Sequence, residues 1–187
     1  MFTEDYLMRI INQALAALMI AIGLRKAGKV AEAQQAIQQA IEQLTTLPSN
    51  LVDQMDDSSI LSLLSAQGKL DMGRLAILAD IYQEQGELHI QQDQPRQGVA
   101  AFARTLRFIL EVALAEDGNL SNENIGKVSN LVQRLEGISL LVDTQLALSD
   151  YYLRLLEKDD PSLEAAGTSR AQVSLALAKL QGQPGPG

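Results

Sequence analysis

The sequence contains no cysteine and no tryptophan, a single histidine, and aromatic residues at only 4% of its 187 positions. Without cysteine there is no disulfide framework, no thiolate nucleophile, and no Cys-ligated zinc or iron–sulfur centre. A lone histidine, His89, excludes every motif that needs two. Positive charge is also scarce: 15 Lys and Arg stand against 23 Asp and Glu, a net charge of −8. That sign disfavours a generic nucleic-acid binder. The longest uncharged apolar run, Ala14 to Leu24, falls short of the about 20 residues a bilayer span needs. The opening Met1-Phe2-Thr3-Glu4-Asp5 is acidic, unlike the basic start of a signal peptide. A cytoplasmic protein with no membrane and no nucleic-acid partner is expected.

What is present is helical periodicity. Leu7, Ile10, Ile11, Ala14, Leu18, Ala21 and Ile22 recur at spacings of three and four. Thr3 caps this helix, and Lys26-Ala27-Gly28 ends it. Val30, Ala33, Ile37, Ala40, Ile41 and Leu44 continue the pattern until Pro48, so the two helices fold into an antiparallel hairpin. Asp57 or Ser58 is expected to cap a short helix carrying Ile60, Leu61, Leu63 and Leu64. Residues 70 to 92 read as a longer helix, with Gly73 and Gly86 marking a kink or a close helix contact.

Pro95 opens a further helix through Val99, Phe102, Leu106 and Leu110. Glu116-Asp117-Gly118-Asn119 reads as a turn, and Ser121 opens a helix that Gly137 stops. Asp143 is expected to cap the next, with Leu146, Leu148, Tyr152, Leu155 and Leu156 on its stripe. Asp160-Pro161 starts one last helix through Val173, Leu177 and Leu180. No stretch alternates as a strand does. The expectation is an all-α fold of about eight helices in antiparallel hairpins. It forms one domain over residues 1–182, followed by a flexible Gly/Pro tail, 183–187.

Two hairpins share more than periodicity. Ala21, Leu24, Gly28, Ala33, Ile37 and Ala40 in the first resemble the spacing of the tetratricopeptide repeat. Gly86, His89, Asp93, Gly98, Phe102 and Thr105 in the second fit it too, with Asp93 where glycine is usual. Small residues let two helix backbones approach, and Ile37 and Phe102 fill the space between them. Equivalent positions 28 and 93 lie near twice the 34-residue repeat apart, so a degenerate unit is expected between them.

The chain also resembles a family of uncharacterised bacterial helical proteins. The likeness rests on Glu4-Asp5-Tyr6-Leu7-Met8-Arg9-Ile10-Ile11, on Leu135-Glu136-Gly137-Ile138-Ser139-Leu140, and on Asp150-Tyr151-Tyr152. It spans residues 1–158 and leaves 159–182 as an additional C-terminal helix. The resemblance implies hairpins stacked as a tetratricopeptide-like right-handed superhelix, and no activity.

Chemical motifs are sparse. Gly68 and Gly73 have the spacing of a phosphate-cradling loop, but Arg74-Leu75 replaces its Lys-Ser/Thr pair. Gly86 stands three residues before His89, where a di-iron bundle needs Glu. His89 reads as a surface or packed histidine rather than a general base. Asp56-Asp57 and Asp159-Asp160 read as helix caps rather than cation ligands.

Three residues remain as candidate partner contacts. Arg104 and Arg107, three apart on one helix, suit a carboxylate or phosphate, although Glu111 offers Arg107 an ordinary intrahelical ion pair. Tyr152 joins the core stripe and Tyr151 flanks it, so an exposed Tyr151 makes a contact residue. No catalytic, cofactor-binding or metal-binding residue is assigned, and no enzyme is expected. The reading is a non-catalytic module that binds a protein or peptide. A homo-oligomeric structural protein, a homodimer through the helix starting at Ser121 and the last helix, is the alternative. A small-ligand-binding bundle ranks behind both.

Overall fold

A computed structural model describes residues 3–116 and 120–182. The fold is all-α, with ten helices and one two-stranded hairpin among the described residues. The chain divides into two compact units, Met1–Thr105 and Leu106–Gly187. The division falls inside a single helix. The 117–119 part of the expected turn and the 183–187 tail lie outside the described residues.

The first unit starts with α1, Glu4–Lys26, and α2, Val30–Thr45. Thr3 accepts the Tyr6 amide at 3.3 Å, Glu4 and Asp5 sit in the first turn, and Arg25 and Lys26 sit in the last. These charges match the helix dipole. Gly28 takes a left-handed φ of +76°, and the chain reverses. The buried faces are rich in alanine: Ala14, Ala17 and Ala21 on α1, Ala33, Ala36 and Ala40 on α2. Small side chains let the two backbones pack closely, and both helices then pack on α5, Met72–Gln91.

Between α2 and α5, where a degenerate repeat unit is expected, no full-length helical hairpin forms. Two short helices stand there instead, α3 (Ser49–Gln54) and α4 (Asp57–Leu63), then an antiparallel hairpin of β1 (Ser65–Ala66) and β2 (Lys69–Leu70). Gln67 and Gly68 both have positive φ, 53° and 76°, the pairing a tight two-residue hairpin requires. Gly68 is therefore a turn residue. Asp56, rather than Asp57 or Ser58, caps α4, accepting the Ser59 amide at 2.7 Å.

Helix α6, Pro95–Ala115, carries the chain from the first unit into the second. The α5–α6 turn repeats the α1–α2 turn. Gln94 N–H donates to the His89 carbonyl at 2.8 Å as Lys29 N–H donates to Leu24 at 2.9 Å, and Asp93 adopts the left-handed φ of 58° in the place of Gly28. A Cβ built on Gly86 falls 2.5 Å from the Phe102 ring, and one on Gly98 falls 2.6 Å from Ile90, so both glycines are needed for this approach.

The second unit adds α7 (Asn122–Arg134), α8 (Val142–Leu155), α9 (Asp160–Ala165) and α10 (Arg170–Gln181). Ser121 caps α7, and Gly137 turns the chain at φ +80°. Leu141 occupies the N-cap of α8, and Asp143 lies in the first turn as a charge complement rather than as the cap. The single last helix becomes two because Gly167 takes a φ of +81°, which ends α9. Arg170 then donates to the Leu156 and Lys158 carbonyls at 2.7 and 2.6 Å, tying the start of α10 to the end of α8. Helix α10 packs along α8.

Candidate functional site

Each arginine named by the sequence is held by a carboxylate. Arg104 donates to Asp57 at 2.8 Å and to the Met55 carbonyl, and its guanidinium lies 5.0 Å from the centre of the Tyr82 ring. Tyr82 itself donates to Asp53 at 3.0 Å. Burial works against the Arg104 charge, and the Tyr82 and Asp57 oxygens outweigh it, so its pKa stands above the ordinary value. Burial, then the charge of Asp53, pushes the Tyr82 hydroxyl well above its ordinary range. The cluster fastens α5 and α6 to the 53–57 segment. Arg107 is bound by Glu111 one turn on, as the intrahelical reading expects, and its Nε is buried without a partner.

Tyr151 is not exposed. It retains 2% of its surface, so the expectation of a free contact residue there is corrected. The buried arc of α8 takes in Thr144, Ala147, Leu148, Tyr151, Tyr152 and Leu155, wide enough to cover both tyrosines. Their ring centres are 5.5 Å apart. Burial raises both hydroxyl pKa values, and the neighbouring Tyr152 adds to the shift of Tyr151. Leu146, placed on the core stripe by the sequence, is exposed instead.

The other polar candidates are local structure. His89 Nδ1 lies 2.7 Å from Gln94 Oε1 across the α5–α6 turn. Asp56 and Asp159 each accept the amide three residues on, at 2.7 and 2.8 Å; the Ser59 amide and then its hydroxyl lower the Asp56 carboxyl pKa, and the Ser162 hydroxyl and then its amide lower that of Asp159. Among the described residues no group of three His, Asp or Glu side chains is placed to hold a metal.

The feature with binding geometry lies in the second unit, between α7 and α10. Two adjoining hollows of about 280 and 450 Å³ share Ser129, Val132, Tyr152, Gln172 and Ala176. Their sizes approach or fall within the range of about 300–1,000 Å³ typical of ligand clefts. Leu148 and Tyr152 of α8 form the floor. Val132 on α7 and Leu175 and Ala176 on α10 form apolar walls, and Ile138 also lines the cleft. Leu175 keeps 58% of its surface open. Gln133, Glu136, Gln172 and Lys179 form a polar rim. No hydrogen bond engages the Tyr152 hydroxyl among the described residues, which leaves it as a polar handle on an apolar floor.

The sequence pointed to these two helices as an association surface but not to this groove. Its signal was the surplus of apolar positions: Leu131 beside Val132, and Leu175 between Val173 and Leu177, more than one buried face can absorb. Compared with protein-family models, curated proteins and solved structures, the chain matches none.

Proposed function

We propose that the protein is a non-catalytic interaction module whose second unit binds an amphipathic helix of a partner protein. The single observation that carries the reading is the groove between α7 and α10. Its walls present side chains at helical spacing, from Ile125 through Val128 and Val132 on one side and from Gln172 through Ala176 and Lys179 on the other. A helix of about three turns fits the 125–136 stretch at 1.5 Å per residue. Such a helix would lay its apolar residues over Tyr152 and its polar face against the glutamine-rich rim. The repeated turn geometry at Gly28 and Asp93 supports a tetratricopeptide-like origin for the first unit, in line with the bacterial helical family it resembles.

The test is capture from the native host's lysate on the wild-type protein and on Leu175→Glu, a substitution at an open position. The captured segment is then measured as a synthetic peptide by fluorescence anisotropy. Expected is at least a ~10-fold loss of affinity with Leu175→Glu and none with Leu146→Glu on the outer face of α8, since a charge in an apolar groove costs about 1.4 kcal/mol or more. Equal loss with both variants, or no loss with either, overturns the reading.

A further inference from the structure

The outer face of α1 is apolar, diametrically opposite the face that packs on α2 and α5. Successive helix residues turn by about 100°. Ile10, Ala14, Ala17 and Ala21 therefore share one side, and Met8, Asn12, Leu15, Ala16, Met19 and Gly23 share the other. All six of the second group are exposed, Met19 at 61%. From Ile10 to Leu24 the helix holds no charged residue. The stripe is closed by Asp5 at one end and Lys26 at the other, both exposed and neither in an ion pair among the described residues.

We propose that this face pairs with the same face of a second copy of the chain, as an antiparallel α1–α1 contact about a two-fold axis at Leu15–Ala16. Three features of the stripe select that occupant. Opposite charges at its two ends place Asp5 of each copy against Lys26 of the other only when the helices run antiparallel. That register opposes Met8 to Gly23 and Leu15 to Ala16, large against small, so the stripe is complementary to itself and each contact is made twice. A lipid surface fits less well. Although α1 is long and apolar enough by composition to span a bilayer, its other side is occupied by α2 and α5. On the exposed side of α1 only Arg9 and Lys26 are basic, too few for the basic polar face of an interfacial helix, and the chain carries a net charge of −8. A helix about 34 Å long supplies less than the about 800 Å² per partner of a standard interface, so the dimer is weak and concentration-dependent.

Sedimentation velocity of the full chain from about 5 to 500 µM, at about 0.15 M salt to screen the net charge, is expected to show monomer passing to dimer. Leu15→Glu and Met19→Glu, at positions that make no core contact, each raise the dissociation constant at least ~10-fold while the circular dichroism is unchanged. Lys26→Glu and Asp5→Lys each weaken the dimer, and the two together restore it. Because the chain has no cysteine, Ala16→Cys reports the axis directly: it forms a disulfide dimer under mild oxidation, whereas Met8→Cys, about 22 Å from its copy in this register, does not. A monomer at every concentration overturns the proposal, whether or not the protein co-sediments with phosphatidylcholine or phosphatidylglycerol vesicles. A dimer unaffected by Leu15→Glu and Met19→Glu, or cross-linking through Met8→Cys as readily as through Ala16→Cys, also overturns it.

Discussion

The two units bury similar kinds of residue but differ in how tightly their helices close. In the first, glycine and alanine bring α1, α2, α5 and α6 together, and charged groups fasten the seams. Arg25 of α1 donates two hydrogen bonds to the buried Glu84 of α5, and Arg74 reaches the Leu44 carbonyl at 3.1 Å while pairing with Asp71 at 2.9 Å. In the second unit, the seam between α7 and α10 stays open over Tyr152, and Leu146, Leu153 and Leu175 face outward. The first unit also leaves Met8, Leu15, Met19, Leu51 and Ile90 exposed, so the difference lies in the cleft itself: the second unit has a concave opening on which the proposed binding of a partner helix rests.

Breaking the first unit's seam should have the largest effect. Arg25→Ala leaves the Glu84 carboxylate buried and unpaired, and it is expected to destabilise by about 2–3 kcal/mol, discounted from the deep-burial figure because Arg25 is partly exposed. Glu84→Gln should cost less, because the freed Arg25 can still reach water. Urea unfolding of both variants measures the difference, and equal costs would contradict the asymmetry.

A methyl group sharpens the same contrast. Gly86→Ala drives a Cβ into the Phe102 ring and should destabilise by about 1–2 kcal/mol, more than the roughly 1 kcal/mol alanine gains as a helix former. Gly126→Ala, on the exposed side of α7 with nothing within 4 Å of the added atom, should instead stabilise by about 0.5–1 kcal/mol. Thermal unfolding of the pair should therefore give shifts of opposite sign. If both shifts carry the same sign, the difference in packing between these two helices is not what decides.

The smallest effect is at the caps, one in each unit. The Asp56 and Asp159 carboxyls are depressed in the folded state, Asp56 mainly by the Ser59 amide and Asp159 by the Ser162 hydroxyl and then its amide. Their contribution is present above the unfolded value of about 3.9 and is lost as pH falls through the lower folded value. Asp56→Ala and Asp159→Ala should each lower Tm slightly at pH 7. The gap from wild type should close as pH falls below about 4. A gap that persists at pH 2 would assign the effect to something other than the charged cap.

Most helices were legible because their apolar residues recur at helical spacing and because Gly28, Pro95, Ser121 and Gly137 mark ends by backbone chemistry. The misses have two causes, what lies across from a residue and local turns that periodicity does not register. Tyr151 and Leu146 sit on the same helix, and only the breadth of the covered arc decides which is buried. Gly167 breaks a helix that periodicity alone would continue, and the β hairpin is too short to display alternation. The groove was partly legible as surplus leucine and valine on two helices. Its shape was not, because an opening between helices leaves no spacing of its own.

The Arg25–Glu84 bond also sets a timetable. Its partners are 59 positions apart, while α1 and α2 meet through a turn of three residues. At about 5–20 residues per second, a ribosome finishes the first hairpin at Thr45 roughly 2–8 s before Glu84 exists to meet Arg25. During that interval α1 has an apolar face on each side, one waiting for α5 and the other exposed even in the finished protein. The late arrival of α5 buries the first and leaves the second, so the nascent chain passes through a stage more adhesive than its product.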